Sequence, residues 1–207
     1  MIDRSNGYEG VAAEFLAGRG GPLSTRIGAG RVQLWARQLT PGSTVLDLGC
    51  GSGVPITEVL ISHDLVVYGI DASPTLVSAF KQRWPGTPIR CEPVEESQFF
   101  SRQFDAVIAW GLMFLLSPSG QRELMRRIGE VLKPGGRLLF TAPAQAVQWN
   151  DAMTGRRSWS LGAAEYASEL AKAGLTAVDQ YDDEGENHYF DLVKGAGGPV
   201  AQKPPSD

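Results

Sequence analysis

Histidine and cysteine are scarce in this chain, with two of each among 207 residues. Cys50 and Cys91 have no metal-ligand spacing and cannot make a disulfide framework, so the sequence predicts a reducing compartment and no metal site. Positive charge is not in excess either. Lys and Arg number 19 against 23 Asp and Glu, a net charge of −4, which gives no broad attraction to a phosphate backbone. The pairs Arg126-Arg127 and Arg156-Arg157 read as solvated or paired cations rather than a nucleic-acid track. No apolar run reaches the length of a membrane span, and Met1–Asn6 lacks the basic-then-apolar order of a secretory signal. These absences predict a cytoplasmic protein without a nucleic-acid or membrane partner. They leave the oligomeric state open.

What remains is ordinary hydrophobic content, 43%, enough for one domain with a substantial core. Helical spacing over Tyr8–Gly18 and Ile27–Leu39 predicts a helical cap over about residues 1–40. From Val45 strands and helices alternate: strand Val45–Leu48, helix Val54–Ile61, strand Leu65–Ile70, helix Pro74–Arg83 and a short strand Ile89–Cys91. Strand Phe104–Ala109 follows, then a helix capped by Ser117 or Ser119 that reaches Leu132. Lys133–Gly136 stops it ahead of strand Arg137–Thr141. This alternation predicts an α/β fold, a mostly parallel sheet with helices on both faces.

The end of the chain differs. Pro143–Ser160 reads as a long irregular loop, suited to a substrate wall. Helix Gly162–Ala173 precedes strands Leu175–Tyr181 and His188–Val193. The connection between those strands is too short to cross over, so they should be antiparallel. Gly195–Asp207, rich in glycine and proline, predicts a disordered tail and leaves 1–194 as a single domain.

The chemistry is concentrated in Val45-Leu46-Asp47-Leu48-Gly49-Cys50-Gly51-Ser52-Gly53-Val54-Pro55. It reads as a buried strand, a glycine turn and a helix start, with Pro55 suited to the first helical turn. Asp71 stands twenty positions after Gly51, where a second-strand carboxylate can accept hydrogen bonds from two ribose hydroxyls. A dinucleotide fingerprint wants a further glycine where Val54 stands. Asp47 before the turn suits an ammonium group and would repel a pyrophosphate. A nicotinamide oxidoreductase is therefore the weaker reading.

On these residues, over about Tyr8 to Lys194, the chain resembles the class I S-adenosylmethionine-dependent methyltransferases of small-molecule type. The resemblance implies a Rossmann-like seven-stranded sheet in the order 3-2-1-4-5-7-6, its last strand antiparallel. It implies S-adenosylmethionine as cofactor and S-adenosylhomocysteine as product. Asp47, Gly49, Cys50, Gly51 and Gly53 would lie at the methionine end, Asp71 on the ribose, and Ala72 against the adenine. Arg90–Glu95 occupies the place of a segment that usually reads Gly-Asp-Ala-Glu. Val94 would supply its backbone donor to adenine, while Pro93 displaces the usual acid and Glu95 is a substitute. Ala109 and Trp110 would end the fourth strand beside the transferred methyl.

Ligands of an open parallel sheet bind beyond the carboxyl ends of its strands. The amino end of an antiparallel last strand shares that rim, which brings Asp183, Glu186, Asn187 and His188 there. Candidate substrate residues are Tyr8, Trp110, Trp149, Glu186, Asn187 and His188. His188 is the candidate general base, because its pKa suits the task. The apolar run Leu112–Leu116 favours an apolar or aromatic acceptor. Neither an Asn/Asp-Pro-Pro-Tyr run nor a Pro-Cys pair is present, which disfavours amino-methylation of nucleic acid or glutamine and carbon methylation of cytosine. The expected function is methyl transfer to an oxygen, nitrogen or sulfur of a small molecule. The alternative is a non-catalytic, regulatory S-adenosylmethionine-binding protein.

Overall fold

The computed structural model describes residues 3–18 and 27–196. Part of the expected helical cap and nearly all of the expected tail therefore lie outside the described residues. The helices are α1 (Ala12–Gly18), α2 (Ala29–Ala36), α3 (Ile56–Ser62), α4 (Pro74–Arg83), α5 (Pro118–Val131) and α6 (Ala163–Lys172). The strands are β1 (Thr44–Leu48), β2 (Val66–Asp71), β3 (Ile89–Cys91), β4 (Phe104–Ala109), β5 (Leu132–Thr141), β6 (Val147–Asn150), β7 (Arg157–Ser160), β8 (Leu175–Asp182) and β9 (His188–Lys194). Seven of them form one sheet in the order β3-β2-β1-β4-β5-β9-β8. The first five are parallel, and β9 runs antiparallel to both neighbours. That is the expected order and the expected reversal.

The central strands are apolar on both faces because helices cover both. Alternate side chains of β1 divide between two cores. Leu46 and Leu48 pack with Phe140, Ile128 and Tyr166 under α5 and α6, while Val45 packs with Trp35, Ile56 and Leu60 under α2 and α3. Phe140 and Phe190 stack at 4.7 Å between centroids across the β5–β9 pair. Ser73 caps α4 by accepting from the Leu76 N–H at 3.2 Å, and Ser117, not Ser119, caps α5 through the Gly120 N–H at 3.1 Å. Among the described residues no helix is long and apolar enough to cross a membrane.

Three expectations need correction. Pro55 lies before the helix, as the N-cap of α3, and follows a cis peptide bond. Lys133–Gly136 does not separate helix from strand, since β5 begins at Leu132 and carries these residues past an irregularity in its pairing with β4. Pro143–Ser160 is not irregular, because it contains the antiparallel hairpin β6–β7, paired from Val147↔Ser160 to Asn150↔Arg157. Asp151 closes its turn, Oδ1 accepting from the N–H groups of Met153 and Thr154 at 3.0 and 2.8 Å. Val147 and Trp149 alternate with Gln148 and Asn150 over only four residues, and Arg157–Ser160 carries a single apolar side chain, Trp159, so the strand signal is faint. The hairpin's support is tertiary: Trp149 lies against Phe114, ring centroids 5.5 Å apart.

Candidate active site

The carboxyl ends of β1, β2 and β4 open on a cavity of about 590 Å³, within the range of small-molecule sites. After β1 the chain turns through Gly49 (φ +70°) and Gly51 (φ +56°), backbone that side chains resist. The Gly49 and Cys50 N–H groups both donate to the Ile70 carbonyl, at 2.8 and 3.1 Å, which ties the turn to β2. Asp71 completes that tie. Its Oδ2 accepts from the Gly51 N–H and its Oδ1 from the Ser73 N–H, both at 2.8 Å. The carboxylate is thus aimed by backbone on either side and lines the cavity. Burial pushes its pKa up, opposed by those two N–H groups.

Asp47 is 1% exposed and accepts from the Thr57 hydroxyl at 2.6 Å. Burial pushes its carboxyl up to about 7, with Thr57 opposing and like-charged Asp71 adding to the rise. A carboxylate in that setting is short of a cation. Cys50 also lines the cavity, its thiol raised well above the ordinary value by burial, so it is a protonated wall rather than a nucleophile. Gly53 does not line the cavity, and Val54 does. Trp84 covers Gly53 so closely that a Cβ there would meet the indole nitrogen at 2.5 Å.

Ala72, Pro93, Val94 and Glu95 form the neighbouring wall. Arg127 of α5 holds it in shape. Its Nη1 donates to the carbonyls of Val94 and Glu95 at 2.9 and 3.0 Å, Nη2 donates to Ser97, and the guanidinium lies 4.3 Å from the Phe99 ring centroid. The sequence grouped Arg127 with Arg126 as solvated or paired cations. Only Arg126 fits that description, paired with Glu123 and Glu130. Helical spacing carries the difference: Arg126 shares the charged face with Glu123 and Glu130, whereas Arg127 stands three after Leu124 and four before Val131, at the edge of the apolar face.

The opposite wall is apolar. Trp110, Leu112, Phe114, Leu115 and Leu116 follow β4, as the apolar run suggested. Tyr8, Asp3 and Phe15 of the N-terminal segment, with Arg156 and Trp159 of the hairpin, cover the opening. The two covers are joined. Arg156 Nη2 reaches Asp3 Oδ2 at 2.8 Å, and the Tyr8 hydroxyl faces Asp151 Oδ2 at 3.4 Å. Glu9 docks the segment on the start of α4, accepting from the hydroxyls of Ser73 at 2.5 Å and Thr75 at 2.7 Å.

Not every expected residue arrives. Ala109 is fully buried within the sheet and forms no wall. Trp149 backs Phe114 from outside, and Glu186 sits at the β8–β9 turn with φ +60°. His188 stands apart from the cavity. Its Nδ1 meets Asp182 Oδ1 at 2.7 Å, its Nε2 meets Gln180 Oε1 at 3.2 Å, and its ring lies edge-on to Phe190. The alternation of β9 explains this: Tyr189 faces Trp110, so His188 faces the other way. Topology placed His188 at the correct rim but could not orient it. Asn187 does reach the cavity. Arg156 and Trp159 come from the segment expected to form a substrate wall, Arg156 itself reading only as a solvated or paired cation, while Asp3 and Phe15 belong to a segment without a motif. Among the described residues no group of three or more His, Cys, Asp or Glu could hold a metal ion.

Residues 45–136 match the protein family described as "Methyltransferase domain". Among curated proteins the chain is 31% identical over 130 residues to a ubiquinone biosynthesis O-methyltransferase of Coxiella burnetii, covering 60% of this chain and 54% of that protein. The chain thus spans about half the length of the curated relatives it matches. Among solved structures, the 1,6-didemethyltoxoflavin-N1-methyltransferase of Burkholderia thailandensis, bound to 1,6-didemethyltoxoflavin and S-adenosylhomocysteine, superposes with a TM-score of 0.68 at 21% identity. That match covers 94% of this chain and 92% of the other. The [4+2]-cyclase SpnF superposes at 0.73 with 17% identity, covering 93% and 96%. One fold therefore carries more than one chemistry.

Proposed function

From a chain whose residues 45–136 match a methyltransferase domain, we propose that the protein is a class I S-adenosylmethionine-dependent methyltransferase that transfers the methyl group of S-adenosylmethionine to a small molecule. The observation that carries the reading is the pair of buried carboxylates at one glycine turn. Asp71 is fixed by the Gly51 and Ser73 N–H groups, and Asp47 is held by Thr57 without a cation. The cofactor's chemistry answers both needs: its ribose carries two hydroxyls, and its methionine end an ammonium. Gly49 and Gly51 allow backbone to approach that end, and Ala72, Pro93, Val94 and Glu95 form the adenine wall.

When bound, S-adenosylmethionine supplies an electrophilic methyl group on a sulfonium. The protein's part is to position the acceptor and exclude water. In-line positioning can contribute on the order of 7–11 kcal/mol. Leu112, Phe114, Leu116 and Trp159 make the acceptor side apolar, and the Asp3–Arg156 and Tyr8–Asp151 contacts close it over. Among the described residues no histidine lines this cavity. The reading accordingly assigns His188 no proton transfer and favours an acceptor whose nucleophile needs no strong base.

Calorimetry with S-adenosylhomocysteine tests the reading. Wild type should bind, and Asp71→Asn should weaken binding at least about tenfold through loss of charge-assisted hydrogen bonds. Unchanged affinity in Asp71→Asn, or no heat from wild type, rejects it. The [4+2]-cyclase on the same fold keeps a second reading alive, cofactor binding without methyl transfer. Label from a methyl-labelled cofactor entering small molecules of a cell extract separates the two.

A further inference from the structure

Two cavity-lining side chains, Trp110 and Asn187, come from different strand ends but share one anchor that does not itself line the cavity. Trp110 Nε1 donates to the Tyr189 hydroxyl at 2.7 Å, and that hydroxyl donates to Asp183 Oδ2 at 2.9 Å. Asn187 Nδ2 lies 3.0 and 2.9 Å from the two oxygens of the same carboxylate. Asp183 Oδ1 also accepts from the backbone N–H groups of Gly185 and Asn187, at 2.8 and 3.0 Å. An ionised carboxylate only accepts hydrogen bonds, so Asn187 must turn its NH₂ toward it. The amide orientation follows from chemistry, and the carbonyl Oδ1 is the polar atom left for a ligand.

The anchor is also sealed. Gly28, at the start of α2, lies where a Cβ would come within 2.7 Å of both Trp110 Nε1 and the Tyr189 hydroxyl. The Tyr189 ring is fully buried and stacks on Tyr181 at 5.3 Å. The indole is therefore fixed in plane by a partner that cannot swing away.

We propose that Asn187 selects the methyl acceptor, its carbonyl oxygen receiving a hydrogen bond from an O–H or N–H of a flat, apolar molecule lying against Trp110. Asp183 and Tyr189 are the positioning residues that hold both groups. The proposal rests on the reading of this cavity as a methyl-acceptor site. It adds that the acceptor bears a hydrogen-bond donor and an aromatic or similarly flat body.

The test uses protein saturated with S-adenosylhomocysteine and three probes of one shape: 4-fluorophenol, 4-fluoroaniline and 4-fluorotoluene. Binding is read by fluorine NMR. Wild type should bind the phenol or the aniline about fivefold more tightly than the toluene, the value of one net hydrogen bond. Asn187→Ala and Asn187→Leu should erase that preference while keeping wild-type affinity for S-adenosylhomocysteine, which also shows that they fold. Asp183→Asn, which frees the Asn187 amide to turn over, should erase it too, whereas a purely structural role would leave it intact. Equal binding of the three probes by wild type, no binding of any, or a preference that survives in both Asn187 variants overturns the proposal. Failure of wild type to bind S-adenosylhomocysteine instead overturns the reading beneath it.

Discussion

Asp47 is a carboxylate enclosed by protein with a single hydroxyl partner and a pKa pushed up to about 7. A cationic ligand must meet it ionised, so affinity for S-adenosylhomocysteine should fall as pH drops below about 7, approaching tenfold per pH unit. Asp47→Asn should bind weakly and without that slope, a contrast that calorimetry from pH 5.5 to 8.5 resolves. The stability sign runs opposite. With its folded pKa raised, the acid contributes most below its unfolded value near 4, and that contribution is lost as pH rises through about 7. At pH 8 the ligand-free fold carries a penalty on the order of 4 kcal/mol at most. Asp47→Asn should then melt higher than wild type at pH 8, by roughly 5–10 °C, with no gain at pH 4. His188 belongs at the same scale. Once an acceptor is in hand, His188→Ala should leave kcat within about twofold, whereas a general base would cost about a hundredfold or more.

At the scale of the element, the wall 93–97 is set by a helix with which it shares no strand pairing. Arg127 spans three of its carbonyls. Arg127→Ala should raise the Kd for S-adenosylhomocysteine about tenfold, and Arg127→Lys should recover little, since one ammonium cannot reproduce a planar fork. Retained affinity in the alanine variant would show that the segment holds its shape without the arginine. Elements of this kind mark the limit of what is legible in the sequence. The strands β1 to β5 and the helices α3 to α6 announce themselves by apolar runs and by Ser-Pro caps, and the cradle by Asp47, its glycines and Asp71. The β6–β7 hairpin does not, because its alternation is confined to Val147–Asn150 and its pairing partner Arg157–Ser160 offers one apolar side chain. The direction of His188 is likewise set by β9 pairing with two neighbours, which spacing cannot supply.

Across the whole molecule, the cavity is closed by pieces far apart in the chain, an N-terminal segment and a hairpin after β5, joined at Asp3–Arg156 and Tyr8–Asp151. The ion pair is part-exposed and contributes about 0–1 kcal/mol, so Arg156→Ala should shift Tm by only about 1–3 °C. It should still loosen the cover. Amide exchange in residues 3–11 and 151–158 should quicken together, by about two- to fivefold at a coupling of that size. Exchange rising in one segment alone would mean that the two covers are independent.

The carboxylates and glycines of the cradle lie between Asp47 and Glu95, whereas the apolar wall, the hairpin and the Asn187 anchor all come after β4. Under the proposed function, that ordering would divide the chain into a stretch that grips a common reagent and a stretch that chooses its customer. Replacing the hairpin alone, Val147 to Ser160, with a hairpin of different lining is thus a route to redesigning acceptor preference while leaving the cradle's primary structure intact.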